Sequence, residues 1–451
     1  MIPLTQGGTG TTVYASSYSS SNSTKESLYL TIASVRPIDD NGQQATTHGG
    51  IFIPVKRSQT MTQSDNDFDQ LIERRGTDSI KWNLFDDDVL PMWVADMDLR
   101  SPQAVIDAVQ QRVEHGIFGY PQEPPPLRDV VVDWIARHYD WKVDPDALVF
   151  LPNVAVGFNL AVQAVGKPGT GLLYQPPIYF PILDVPKHAG MTPRPSELIR
   201  QEDKHYKIDF DDLERAASEN CSAFILCNPH NPVGRAFHRD ELERLGETCL
   251  RHDLFICSDE IHADFVYDGQ HHIPIASIDP EIAARTITLI APNKSFNIAG
   301  ISCAIAVIPH PKLRQQLEEA RSGLVQHVGI MSYVATEAAY TQGEEWLDRV
   351  VEYLRRNRDY LRQFVADHLP GINMGPVEAT YLAWLDCRDL DLGESPNEFF
   401  LREARVGLND GSRFGPGGEG FARLNFATPR SNLTEGLKRM RRALLSREDN
   451  S

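Results

Sequence analysis

Paired cysteines, surplus positive charge and long apolar runs are what this sequence has little of. Its six cysteines, Cys221, Cys227, Cys249, Cys257, Cys303 and Cys387, contain no C-x-x-C pair, and several sit inside short apolar runs such as 223–227 and 254–257. That pattern points to buried, reduced thiols rather than a disulfide framework or a metal knuckle. A cytoplasmic protein without a metal site is the expectation. Lys and Arg total 44 against 62 Asp and Glu, a formal charge of −18. A chain so acidic is a poor match for nucleic acid or an anionic lipid surface. No stretch approaches the roughly 18 consecutive apolar residues of a membrane helix.

Large apolar residues are also scarce in residues 1–60, which are rich in Ser, Thr and Gly and include a serine-dense run at 16–23. They read as a disordered tail. They lack the basic start and apolar centre of a signal peptide. Met61 opens the segment MTQSDNDFDQLIERRG, an ordinary protein beginning, so translation starting there is the alternative.

What is present is a sizeable core. Hydrophobic residues make up 41% of the 451, enough for a large domain and a smaller one. Short apolar runs at 148–151, 171–174, 223–227, 254–257, 286–290 and 303–308 alternate with helical stretches such as 239–251. Continuous apolar strands between helices predict an α/β fold, its mostly parallel sheet covered on both faces. A long helix is expected over 344–368, then a strand at 381–385, a helix at 396–404 and a strand at 421–426. That mixture predicts a smaller α+β domain. The implied division is a tail (1–60), an arm with part of the small domain (61–110), a large domain (111–343) and a C-terminal small domain (344–445).

In open α/β sheets ligands bind beyond the carboxyl ends of the strands, and here several strands end in polar clusters. AFILC runs into NPHNPVG, giving Asn228 and Asn231. LFIC runs into SDEIH, giving Asp259, Glu260 and His262. TITLIA runs into PNKSFNIAG, giving Lys294, and ALVFLP runs into NVAVGFNLAV, a helix start. Singly, a lysine after a strand is usually solvated, an Asp is as often a cap, and an Asn-Pro pair is a turn. Together on one rim, a lysine, a carboxylate and a helix start meet the needs of pyridoxal 5'-phosphate (PLP), which requires an amine, a partner for its ring nitrogen and a cradle for its phosphate.

The segments NPHNPVGR, SDEIHADF and APNKSFNIAG resemble the class I/II aminotransferase superfamily of PLP fold type I. With WVADMDLRSP, FGYP, PPIYFP and FARLNFATPRS they resemble more narrowly its carbon–sulfur lyase branch, the MalY/PatB type of cystathionine β-lyase. The resemblance runs from about Phe68 to Leu444. It implies a seven-stranded, mostly parallel sheet between helices, a small α+β domain and a homodimer. It implies that Lys294 carries PLP covalently and later shuttles the Cα proton. Asp259 would pair with the ring nitrogen and Asn231 with the ring hydroxyl, while Tyr179 stacks on the ring. The N–H groups of Val154 and Ala155 would hold the phosphate, aided by Tyr120 from the partner subunit. Arg423 would grip the substrate carboxylate, with Arg430 a second candidate.

Two positions depart from the commoner pattern. Asn293 precedes the lysine where this branch commonly has Ser, which leaves a phosphate contact to an amide. His262 stands where many aminotransferases have Tyr, and the lyase branch has His there. The implied reaction is β-elimination from L-cystathionine, L-cystine or a cysteine S-conjugate, giving thiol, pyruvate and ammonia. The alternatives are an aminotransferase acting on L-amino acids and 2-oxo acids, and a regulatory protein without turnover. Retention of Lys294, Asp259, Asn231 and Arg423 together argues against the last as a sole role. Members of the branch also have regulatory side roles, which the sequence leaves open.

Overall fold

Seven short strands build the large sheet: β1 (Leu148–Leu151), β2 (Gly171–Tyr174), β3 (Thr192–Pro195), β4 (Cys221–Cys227), β5 (Phe255–Asp259), β6 (Thr286–Ile290) and β7 (Ala304–Val307). The computed structural model describes residues 65–448, so the predicted tail lies outside the described residues. The strand order is β1-β7-β6-β5-β4-β2-β3. β7 runs antiparallel to both its neighbours, and all other pairings are parallel. Every residue of β1, β2, β5, β6 and β7 is buried. Alternate residues of β4 serve opposite cores, with Ile225 and Cys227 in one and Phe224 and Leu226 in the other. Helix α1 (Val154–Val165) fills the first core through Phe158 and Leu160 against Ile287 and Leu289. Helix α2 (Arg239–Arg251) fills the second through Leu242 and Leu245. Two-sided burial of this kind is why these strands read as unbroken apolar runs.

β3 escaped the sequence reading. Its residues TPRP are largely exposed and carry two prolines. Proline has no N–H for a ladder, and it is tolerated because β3 is the sheet's edge.

The smaller layer begins with helix α3 (Glu344–His368), as predicted. An antiparallel sheet follows, of β8 (Asn373–Met374), β9 (Leu382–Asp386), β10 (Asn409–Asp410) and β11 (Phe421–Asn425), in the order β8-β9-β11-β10. Helix α4 (Arg430–Glu448) closes the chain. Where one helix was expected over 396–404, an α turn (Pro396–Phe399) passes into a π turn (Phe400–Ala404). Early residues contribute here, since Leu90–Pro91 pairs in parallel with Val406–Gly407. The loop from β10 to β11 is held by backbone contact. A Cβ on Gly418 would fall 2.1 Å from the Gly411 carbonyl oxygen, and one on Gly411 would fall 2.3 Å from that of Gly418. Only glycine fits at either place.

Candidate active site

β4, β5 and β6 end side by side, and their polar continuations close on one cavity of about 440 Å³. β4 leads to Asn231, β5 ends in Asp259, and β6 leads into a one-turn helix, Pro292–Ser295, that carries Lys294. β1 leads to Asn153 at the start of α1. Trp93, Val94 and Ala95 form another wall, and Arg423 and Asn409 reach in from the small sheet. Of the residues singled out from the sequence, Val154, Ala155, Tyr179, Asn231, Asp259, His262, Asn293, Lys294 and Arg423 all line this cavity. Tyr120 does not; it is fully exposed on this chain. Arg430 is also elsewhere, its Nε donating to Asn357 Oδ1 at 2.8 Å.

One end of the cavity is made by helix geometry. Asn153 Oδ1 accepts the Val156 N–H at 2.8 Å, the usual side-chain cap. The N–H groups of Val154 and Ala155 precede any acceptor within the helix and sit at its positive end.

Lys294 Nζ donates to the Ala95 carbonyl. Burial is the largest influence on its pKa and Arg423 adds repulsion, while Asp96 and Asp259 oppose both; the result is about 8. Asp259 moves the other way. Burial drives its carboxyl up to about 7, against the Ile261 N–H at 3.2 Å and the charge of Lys294. His262 is pushed well below its ordinary range by burial and by the cations Lys294 and Arg423. Its Nδ1 has no partner, and its ring meets Tyr381 edge-on with centroids 5.7 Å apart. Burial also raises the Tyr179 phenol. Asn293 Oδ1 accepts the Cys303 N–H at 3.3 Å.

Arg423 is 3% exposed and, among the described residues, forms no ion pair with a carboxylate. It donates to three neutral oxygens instead: Asn231 Oδ1 at 3.0 Å, the Trp93 carbonyl at 2.9 Å and Asn409 Oδ1 at 2.5 Å. Its Nε is unpartnered, and burial lowers its pKa to about 10. A buried cation held this way is ready for an anion.

The sequence reading assigned no role to 93–98, although it used that segment for the resemblance. Its carbonyls are the frame of the site. Lys294 and Tyr381 both donate to Ala95, Arg423 donates to Trp93, and Asn425 Nδ2 donates to Val94 and Asp96. The segment's far end is fixed by Lys81 on Asp98 at 2.8 Å and Arg74 on Asp96 and Asp98. The back of the lysine turn is fixed too. Ser295 donates to Asp264, which also accepts from the Tyr139 hydroxyl at 2.6 Å.

The model of the family described as aminotransferase class I and II matches residues 87–440. The chain belongs to this family. Within it, the chain is 39% identical over 386 residues to cystathionine beta-lyase PatB of Bacillus subtilis, covering 84% of this chain and 99% of that one. The PLP-bound C–S lyase from Staphylococcus hominis is 33% identical, with a TM-score of 0.79 over 84% of this chain and 98% of that one. Cystalysin from Treponema denticola, solved with its pyridoxal 5'-phosphate cofactor, is 31% identical, with a TM-score of 0.81 over 84% and 99%.

Proposed function

We propose that this chain is a PLP-dependent carbon–sulfur lyase that acts by β-elimination on L-amino acids with sulfur at Cβ: L-cystathionine, L-cystine or cysteine S-conjugates. The observation that carries the reading is the convergence in one cavity of Lys294, the buried Asp259 carboxylate, the open first turn of α1 and the unmatched Arg423 cation. This donor set fits PLP: Asp259 is a buried carboxyl that forms no ion pair among the described residues, the first turn of α1 presents free N–H groups, and the buried Arg423 Nε is unpartnered.

Lys294 would hold the cofactor, and Val154 and Ala155 its phosphate, by the rule that anions favour helix N-termini. The Asn293 amide nitrogen adds a donor there. Asp259 would pair with the ring nitrogen, and a cation at that distance restores its ionised form. Asn231, its Oδ1 occupied by Arg423, keeps its amide hydrogens for the ring hydroxyl. Tyr179 and His262 flank the ring. PLP, when bound, supplies a ring that takes up the electron pair left at Cα. Arg423 receives the substrate's α-carboxylate. Lys294 would remove the Cα proton, and its pKa, lowered to about 8, eases the neutral form that a base needs. The Cβ–S bond then breaks, its electron pair leaves with the thiolate, and the released enamine hydrolyses to pyruvate and ammonia.

A second subunit completes the site through Tyr120, which stands in an exposed apolar stretch with Ile117 and Phe118. The six free cysteines suit the cytoplasm. His262 in place of a ring-contacting Tyr favours elimination over amino transfer. Mixing the holoenzyme with L-cystathionine, without an added keto acid, is the test. Thiol and pyruvate are expected in equal amounts. Amino transfer with no thiol released from any cysteine conjugate overturns the reading.

A further inference from the structure

Arg413 stands on the loop between β10 and β11 whose shape the Gly411–Gly418 contact fixes. Its guanidinium carbon lies 4.4 Å from the centre of the Phe180 ring, and Phe180 is part of the cavity wall. The next residue, Phe414, lies under Arg423, 4.9 Å from its guanidinium carbon, and ties the loop to the large layer by accepting the Ile178 N–H at 2.9 Å. The two arginines are near enough for the charge of Arg413 to act on Arg423. Arg388, Arg402 and Arg405, its nearest arginine neighbours before it in the chain, are each paired with carboxylates. Arg413 has no such partner among the described residues. The closest acid in sequence, Asp410, is occupied by the Ser412 hydroxyl and N–H at 2.6 and 3.0 Å.

The cavity therefore has a buried guanidinium inside, and a second, exposed and uncompensated one stacks on its wall residue Phe180. We infer that Arg413 is a specificity residue that takes the far carboxylate of a sulfur-bridged diamino acid, the one that departs with the thiol, while Arg423 holds the α-carboxylate. The inference rests on the lyase reading and deepens it. Arg413 touches neither the reacting carbon nor the cofactor, so its effect depends on whether the leaving group carries a charge.

Two substrates separate the outcomes. L-Cystathionine has the far carboxylate, and S-methyl-L-cysteine has none. In the holoenzyme, Arg413→Gln is expected to lower kcat/KM for L-cystathionine about tenfold, mainly through KM, a change worth about 1.4 kcal/mol. S-Methyl-L-cysteine should be cleaved within twofold of the unaltered rate. Arg413→Lys should recover part of the loss, and added salt should shrink the difference between the substrates. An equal fall for both substrates, or no fall for either, overturns the inference and leaves the lyase reading standing. Failure of the unaltered enzyme to release thiol from either substrate overturns both.

Discussion

Asp259 and Arg423 are ionisable groups that the fold buries with no ion pair for either among the described residues. For Arg423 the consequence is kinetic. Truncating one member of a desolvated charge pair costs about 2–5 kcal/mol, so Arg423→Ala should lower kcat/KM about 30-fold or more, taking about 1.4 kcal/mol per tenfold. Arg430→Ala, with its guanidinium on Asn357 outside the cavity, should stay within threefold in the same steady-state assay. For Asp259 the consequence is a pH-dependent stability. Its ordinary pKa of 3.8 rises to about 7 in the fold. Between those values the folded state holds a proton that the unfolded state has lost, so stability falls as pH rises through that window. The buried His230 and His262, whose pKa values the fold lowers, act in the opposite sense over the same range, so the Asp259 effect is read as a difference. In protein stripped of PLP, Asp259→Asn should gain urea resistance relative to the unaltered chain as pH rises from about 4 to 7; no such gain assigns the Asp259 carboxyl an ordinary pKa.

At the scale of elements, α1 is a scaffold and a binding surface at once. Asn153→Ala removes its cap, which costs about 1 kcal/mol, and loosens the turn that carries the Val154 and Ala155 N–H groups. Both melting temperature and PLP affinity should fall. Asp209 caps the helix Phe210–Ser218 through the Asp211 and Asp212 N–H groups, away from the cavity. Asp209→Ala should therefore lower the melting temperature alone, and equal PLP affinity in the two variants would detach the cap from cofactor binding. The elements legible in the sequence share one property: their side chains alone state their surroundings. β1, β5 and β6 are buried on both faces and read as unbroken apolar runs, and α3 announces itself by its periodicity. β3 was silent because an edge strand of TPRP has neither pattern. The direction of β7 was silent because buried parallel and antiparallel strands have the same composition. The same holds at the site. Lys294, Asp259 and Asn231 could be found because their side chains do the work. The Trp93 and Ala95 carbonyls could not, since a backbone oxygen looks alike in every residue. Asn409 could not because no motif around it marks its contact with Arg423, 14 residues further on.

The molecule as a whole is acidic, and among its described residues no helix is long and apolar enough to cross a membrane. Its proposed assembly is open to a complementation test. If Tyr120 serves the partner's site, Lys294→Ala and Tyr120→Ala damage opposite halves of each shared site. Mixed and re-associated, the two variants should form some dimers with one intact site, and the mixture should cleave L-cystathionine faster than either variant alone. No gain on mixing, with mixed dimers verified by mass, would return Tyr120 to a surface role. The loop that bears Arg413 carries one more implication. Its path is set by two glycine backbones in contact and by the buried Phe414, not by the exposed Arg413. Inheritance thus acts on shape and taste separately there: a lineage that changes position 413 alters which leaving groups it favours and keeps its fold, whereas one that changes Gly411 or Gly418 forfeits the loop.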